Sequence, residues 1–600
     1  IKSAVVSFEI GDVRVNLIDT PGHPDFIAEV ERVLGVLDGA VLVISAVEGV
    51  QSQTRRLARA IRAANLPLLI FVNKIDRIGA RSEQLLDDVQ RKLKLRVVPM
   101  TTVDGIGDRD ATATPCDRRS PAWRESVIDR LAETSERVIE EFDRSGGKLD
   151  NCFLDAELRA QVAAGEIVPA FFGSAITGVG VPELLAGVEE WLPPATVSTD
   201  VPPGGTVFKI ERRRSGEKIV YARLFAGRLF PRDHVEIHRQ HAYAEPERIE
   251  ERITGIDCFA SGGSVPATEA SSGDIVGLHG LRAARIGDWF GTDEARARDS
   301  GYAFPAPALE SVVQPVDPGQ ITRLRTALEY LAEQDPLISL RQRNDAGELS
   351  VRLYGEVQKE VIADMLSREF GLEATFGPSQ TICIERPIGS GDSLETIGQD
   401  GNPFFATVGF RVEPAVPGTG IRFVRDLGMM PLAFYRAVEE TVHETLRQGL
   451  CGWEVIDCAV TLTQCGIVPE SAAADFRRLA PLVLVSALAS AGTEVCEPVE
   501  ELELEVPEDT SGAVCGALIN ARATIRTVIP DSESHHITCQ IPVAELRSLE
   551  QRLPGLTRGD GVWVSSFGGY VAVTSEVPLR MRVGPNPLNR AHYLAEVARS

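Results

Sequence analysis

Apolar runs at 13–18, 40–44, 68–72 and 168–172 alternate, through the first 195 residues, with stretches whose apolar positions recur every three or four, as in Phe26, Val30, Val33 and Val36. Short apolar strand runs set between helical patterns predict a βαβ rhythm and a mostly parallel sheet. Such a sheet binds ligands outside the carboxyl ends of its strands, so chemistry is expected in the segments that follow each run. A Pro/Gly-rich stretch from Leu192 to Gly205 closes this unit. From about 205 to 302 the pattern turns to short strands broken by glycine, as in Tyr221 to Leu229, which predicts a β-barrel. A linker, Phe304-Pro305-Ala306-Pro307, precedes a helix at 322–333. Period two at Val351 and Leu353 then gives way to period four at Val357, Val361 and Met365, the mark of a small α+β domain. A further α+β stretch carries a helix through Phe434, Val438, Val442 and Leu446. The tail reads strand, helix, strand, strand, helix, strand from Leu502 to Val564, the ferredoxin-like βαββαβ order, and a last helix is predicted to begin near Pro587.

Composition narrows the class. With 44% hydrophobic and 25% charged residues the chain is of ordinary globular type, which excludes a collagen, a wholly disordered chain and a disulfide miniprotein. No apolar run reaches the roughly 18 residues of a membrane span, and no secretory pattern is visible at the first residues, so a cytoplasmic protein without membrane contact is expected. The net charge of −24 excludes bulk attraction to nucleic acid and confines any RNA contact to a local surface. Ten scattered cysteines without a C-x-x-C pair suit a reducing compartment, and Cys451, Cys458 and Cys465 read as small buried thiols. His234, His238 and His241 lack a fourth ligand for zinc, His535 and His536 fall on opposite faces of a strand, and Arg212-Arg213-Arg214 before Ser215-Gly216 reads as a hairpin tip.

Three short motifs stand at predicted strand ends. Asp19-Thr20-Pro21-Gly22-His23 follows the first run. A carboxylate there can hold a Mg²⁺ shell, and a glycine amide can approach a terminal phosphate. Asn73-Lys74-Ile75-Asp76 follows the third. A carboxylate can accept both the N1 and N2 protons of guanine, which adenine cannot offer, while a lysine stem covers the base. Gly173-Ser174-Ala175 follows the fourth, where a small residue leaves a backbone amide to reach guanine O6.

In this order the three motifs resemble those of translation-factor GTPases. Gly355-Glu356-Val357-Gln358-Lys359-Glu360-Val361 and the domain order extend the likeness to elongation factor G, while the text from Gly449 to Cys458 and Ala474-Asp475-Phe476-Arg477-Arg478-Leu479-Ala480-Pro481 is most similar to the tetracycline-resistance ribosomal protection proteins. The resemblance implies a multidomain fold: an incomplete α/β P-loop-type G domain at 1–196, a β-barrel at 205–302, then three α+β domains at 307–382, 383–497 and 498–582, the last ferredoxin-like, and a C-terminal helix at 583–600. It implies a cytoplasmic, monomeric factor that uses GTP and Mg²⁺, binds small-subunit rRNA of the bacterial ribosome near the decoding region, and releases tetracycline. Asp19 would belong to the metal shell, Gly22 would contact the γ-phosphate and His23 would position the attacking water. Asn73, Lys74, Asp76, Ser174 and Ala175 would hold the base.

A phosphate loop of the form G-x-x-x-x-G-K-[ST] matches nowhere in the chain; Gly146-Gly147-Lys148-Leu149 lacks the earlier glycine and the hydroxyl. By the resemblance the first βα unit is absent, and the chain as written is expected neither to bind GTP tightly nor to hydrolyse it. The family's ribosome-facing tip corresponds to Ile467, Val468, Pro469, Glu470 and Ser471, flanked by Gly466 and Ala472. Here the tip lacks the family's Ser-Pro-Val tripeptide and sets Glu470 where phosphates would repel it. Arg590 could face phosphate or belong to a helix that only docks. Two alternatives stay open: an elongation factor G paralogue that catalyses translocation, and a non-hydrolysing ribosome-binding regulatory protein.

Overall fold

The computed structural model describes residues 4–23, 26–213, 216–241, 244–260, 263–291, 307–334, 338, 340–343, 348–353, 355–399, 401–425, 431–530, 534–559, 561–574, 576–582 and 584–597. It divides into two compact units, Ile1–Phe304 with Glu329–Pro336, and Pro305–Leu328 with Leu337–Ser600. Residues 304–306 of the expected linker, and Arg214 and Ser215 of the expected hairpin tip, lie outside the described residues.

In the first unit, β1 (Ala4–Ile10) and β2 (Val13–Asp19) form a hairpin, followed by α1 (Ile27–Leu34), β3 (Ala40–Ser45), α2 (Ser52–Ala63), β4 (Leu68–Asn73), α3 (Glu83–Leu93) and β5 (Arg96–Pro99). A second hairpin, β6 (Thr101–Asp104) with β7 (Thr112–Pro115), leads through α4 (Pro121–Ala132), α5 (Glu136–Arg144) and α6 (Asn151–Ala163) to β8 (Ile167–Phe172) and α7 (Val181–Trp191). The sheet runs β3-β4-β8-β5, every pair parallel. Its middle strands, β4 and β8, are buried along almost their whole length, which is why both read as unbroken apolar runs instead of alternating ones. Leu69, Phe71, Leu131, Leu158 and Phe171 belong to the core on one side of it.

The run at 13–18, expected in that sheet, is not part of it. Its register is antiparallel with β1, from Ala4 opposite Asp19 to Ile10 opposite Val13 around the Gly11-Asp12 turn. The physical reason is where its apolar side chains go: Val5 and Ile18 pack with Val33 and Val36 against Phe208 and Ile275 of the next domain, while Val6, Val13 and Leu17 stay exposed. Hydrophobic alternation records that a strand is half-buried, not which sheet it joins.

Eight strands then form one antiparallel sheet: Gly204–Arg212, Lys218–Ala226, His234–His241, Ala244–Arg252, Gly255–Ala260, Gly263–Ala267, Ile275–His279 and Trp289–Phe290. They enclose an interior of Val207, Val220, Leu224, Leu278 and Phe290. Arg213 is spent within this domain, beside Glu217 at 3.3 Å and Asp257 at 3.4 Å.

The second unit opens with a sheet of Leu340–Arg343, Glu348–Leu353, Leu309–Pro315 and Ala374–Phe376, with the helix Glu356–Phe370. Next, Gly391–Glu395, Thr407–Pro414, Cys458–Gly466 and Ile421–Arg425 form a four-stranded sheet in that spatial order. The helices Leu432–Leu446 and Ala473–Ala491 bury Val438, Val442, Phe476 and Val483 against its Val408, Phe410, Val460 and Leu462. Cys458 lies in this core, and burial pushes its thiol up to about 12, so it is a neutral core group.

The tail adopts the βαββαβ order read from the sequence, through Thr493–Pro507, Ser511–Asn520, Thr524–Pro530, Ser534–Pro542, Val543–Leu556 and Val562–Ala572. The spatial order of its strands is fourth, first, third, second, all antiparallel. The strand Thr493–Pro507 runs unbroken across the 497/498 division: residues 493–496 pair with Ile384–Pro387 of the preceding domain, and 499–507 pair within the ferredoxin-like sheet.

The last helix spans Arg590–Val597, three residues beyond the expected start at Pro587, because Asn589 supplies the cap: its Oδ1 accepts from the His592 amide at 3.2 Å. Arg590 faces a carboxylate. It pairs with Glu395, Nη2 standing 3.0 Å from Oε2, and donates to the Gly401 carbonyl at 3.3 Å. Tyr593 donates its hydroxyl to the Arg478 carbonyl at 2.9 Å, and its ring joins Leu482 and Val597 in a small core. Arg590→Ala leaves Glu395 without its cation, which costs about 2 kcal/mol of local stability. Amide exchange over 590–597 is expected to speed up roughly 30-fold while exchange in the Thr407–Pro414 strand is unchanged.

Candidate functional site

The ends of β4 and β8 are adjacent in the sheet, and that adjacency brings together the two motifs read from the sequence as holding a base. Asn73, the last residue of β4, accepts with Oδ1 from the Lys74 amide at 2.8 Å and from the Ala175 amide at 2.9 Å. One side chain thus ties the loop after β4 to the loop after β8, reinforced by the Ile75 amide on the Gly173 carbonyl at 3.3 Å. The Ala175 amide, assigned from the sequence to guanine O6, is donated to Asn73, so a base oxygen would share or displace that bond. Lys74 has φ of 70°, a left-handed backbone costly for a residue with a side chain, and its Nζ reaches Glu48 at 2.9 Å. That contact holds the Glu48 carboxyl below its usual range.

Asp76 is the chemically distinctive member. A hydrogen bond from Ser174 holds its carboxyl below the usual range, so it stays an ionised acceptor. Its Oδ1 is shielded from solvent, and among the described residues no group donates to it. A shielded carboxylate oxygen without a donor matches the paired N–H groups of guanine. The loop carrying Ser174 and Ala175 closes through the Ser174 amide on the Val179 carbonyl at 2.9 Å and the Gly178 amide on the Ser174 carbonyl at 2.8 Å. It ends at Gly180, φ 77°, where a Cβ would stand 2.0 Å from the Phe172 carbonyl oxygen; only glycine fits.

Asp19 to His23 lie elsewhere in the same unit, at the end of β2 in the separate hairpin. Asp19, Gly22 and His23 are exposed, and a Cβ on Gly22 would meet nothing within 4 Å, leaving the approach that a phosphate oxygen needs. The His23 ring stands edge-on to Phe26, centroids 6.1 Å apart, and its carbonyl accepts from the Phe26 amide at 3.0 Å. Asn73, Lys74, Asp76, Ser174 and Ala175 are therefore brought together through β4 and β8. The structure sets Asp19, Gly22 and His23 on a hairpin that shares no ladder with those strands. Sequence reading missed Glu48 and Gly180; the only signal for Glu48 was its place three residues past a strand, opposite a lysine motif.

In the second unit the tip joins the strand Cys458–Gly466 to the helix Ala473–Ala491. Ile467, Pro469 and Glu470 are exposed, whereas Val468 and Ser471 are partly buried. Ser471 is a brace: its Oγ accepts from the Val468 amide at 2.9 Å and donates to the Phe405 carbonyl at 2.5 Å. Phe405 is 51% exposed beside Ile467 at 50%, so the tip presents two apolar side chains. Phe405 was missed; the Phe404-Phe405 pair held the signal, since adjacent residues in a turn cannot both face one core, and here Phe404 packs inward.

Comparison with known proteins follows the same domain order. The family model of the elongation factor Tu GTP-binding domain matches residues 1–194, and those of elongation factor G match 304–378 for domain III, 383–492 for domain IV and 494–581 for the C-terminus. The oxytetracycline resistance protein of Streptomyces rimosus is 43% identical over 609 residues, covering 100% of this chain and 91% of the relative. Tetracycline resistance protein TetM of Streptomyces lividans is 43% identical over 575 residues, with coverage of 94% and 88%. TetP of Clostridium perfringens is 36% identical over 599 residues, with coverage of 99% and 90%. A crystal structure of a Thermus thermophilus protein has the same fold at a TM-score of 0.60 and 23% identity, covering 100% of this chain and 91% of that one.

Proposed function

Because the chain belongs to the tetracycline resistance proteins of the translational GTPase family, we propose that it binds the bacterial ribosome and frees the small subunit of tetracycline, with GTP as its nucleotide. The observation that carries this reading is the 43% identity over an alignment that spans all of the chain, the region of the tip included. Asp76, with a shielded and donor-free oxygen, supports guanine as the base. In this reading Asn73, Lys74, Asp76, Ser174 and Ala175 hold the base, Gly22 admits the γ-phosphate, Asp19 stands in the Mg²⁺ shell and His23 orients water. The units of function are those at 1–196, 205–302, 307–382, 383–497, 498–582 and 583–600, acting as a monomer. Among the described residues no helix is long and apolar enough to cross a membrane.

The tip acts by shape. Ile467 and Phe405 offer apolar surface, Pro469 stiffens the turn, and Glu470 repels phosphate, so contact near the decoding region is steric and apolar instead of ionic. The test is expression of the complete gene in a tetracycline-sensitive host. The wild type is expected to raise the tolerated drug concentration. A variant with glycine at 467–470 and Ser471 retained is expected to fall back to the host's baseline while still co-sedimenting with ribosomes. Stimulated translocation without drug tolerance would overturn the reading in favour of a translocase.

A further inference from the structure

Within the second unit, a cavity of about 140 Å³ opens where the sheets of its domains meet. That is close to the ~150 Å³ of a protein cavity that takes up a benzene ring. Arg352, Ile384, Glu454, Pro498, Phe567 and Tyr570 line it, on five different strands. Ile384, Pro498 and Phe567 supply the apolar wall, against which a ring of benzene size can pack.

The polar groups are donors left short of acceptors. The Arg352 Nε is buried, and among the described residues it has no partner. Its Nη2 stands 3.9 Å from Glu454, beyond hydrogen-bond reach, and that carboxylate is 41% exposed. The Tyr570 hydroxyl makes no hydrogen bond among the described residues. Burial pushes its pKa up, so it stays a protonated donor, and it lines the same cavity as Arg352. A buried guanidinium edge beside a protonated phenol is a receptor for one planar anion: a carboxylate accepts from both, and Arg352 trades a long contact for short charge-assisted bonds.

We propose that this cavity is a binding site for a small aromatic carboxylate, its ring against Phe567 and Pro498 and its carboxylate on Arg352 and Tyr570. The site is separate from the nucleotide residues and from the tip, and it holds whether or not the ribosomal reading does. Because its walls come from several domains of the unit, an occupant would lock their mutual arrangement.

The probe is 4-fluorobenzoate, followed by ¹⁹F NMR on the full chain. Saturable binding is expected with Kd of about 1 mM, the range that ten heavy atoms sustain. 4-Fluorobenzyl alcohol, which keeps the ring and loses the charge, should bind at least about 10-fold more weakly. Tyr570→Phe removes only the hydroxyl and should weaken benzoate about fivefold, and Arg352→Gln about 30-fold. Should Arg352→Gln fail to fold, Tyr570→Phe and the alcohol carry the test. Absence of saturation up to about 10 mM, equal binding of acid and alcohol, or unchanged affinity in Tyr570→Phe each overturns the proposal.

Discussion

Asp76→Asn is expected to exchange the base that the protein of the complete gene prefers, lowering affinity for guanine nucleotides roughly 1,000-fold and raising it for xanthine nucleotides. The argument is one of donors and acceptors. Asp76 is an ionised acceptor whose Oδ1 meets no donor among the described residues, and guanine brings two N–H groups to such a carboxylate. An asparagine in its place turns one acceptor into a donor, which faces guanine's amino group as donor against donor. Xanthine carries a carbonyl at that position and restores the pair. Ser174 holds the carboxyl low; asparagine keeps the shape of the side chain and an oxygen that can accept from that hydroxyl, so the exchange is expected to leave the loop after β8 in place. Competition between GTP and XTP for the wild type and the variant decides the matter. Equal loss of both nucleotides would show that Asp76 serves the loop and not the base.

Glu385→Ala is expected to cost about 4 kcal/mol and to unfold the domain built on the Thr407–Pro414 sheet at temperatures where the wild type is intact. Glu385 is fully buried. Its Oε1 accepts from the Cys451 amide at 2.8 Å and the Trp453 amide at 3.0 Å, and its Oε2 from the Thr493 hydroxyl at 2.8 Å. The turn at 449–453 is wrapped so closely on this carboxylate that a Cβ at Gly449 would stand 2.6 Å from it, and Trp453 in turn donates Nε1 to the Pro578 carbonyl at 2.7 Å. Alanine strands three donors at once, one of them buried; glutamine keeps an acceptor on the two amides and costs far less. Burial is the larger influence on Glu385 and raises its pKa, against which the hydrogen bonds act. A carboxyl whose pKa is raised on folding contributes most below its unfolded pKa, and the contribution declines as pH rises towards the folded value. The stability of wild type relative to Glu385→Gln should therefore fall across that interval and then level off. Calorimetric melting of the three proteins between pH 4 and 8 checks both statements. A melting temperature of Glu385→Ala within a degree of wild type would remove this carboxylate from the account.

Much of the architecture was written in local pattern. The buried strands β4 and β8, the barrel's short strands and the βαββαβ tail are legible because each side chain's burial repeats with the period of its own element, a property of neighbours in the chain. The strand-end motifs are legible for the same reason, since residues of fixed type and spacing lie within a few positions of one another. Where the chain meets itself across long separations, pattern falls silent. It could not tell that the strand Val13–Asp19 turns its apolar face to Phe208 and Ile275 and stays out of the parallel sheet. Nor could it foresee that Asn73 spends its oxygen on Ala175, 102 residues away, that Arg590 pairs with Glu395, or that Phe405 stands beside the tip.

The amino-acid order was enough for the elements and their succession, which rest on short-range periodicity and residue type. Folding in three dimensions settled which strand ends become neighbours, which charges are consumed as internal braces and which apolar side chains stay outside. Those outcomes depend on contacts between distant segments, whose energies appear only when the chain is closed upon itself.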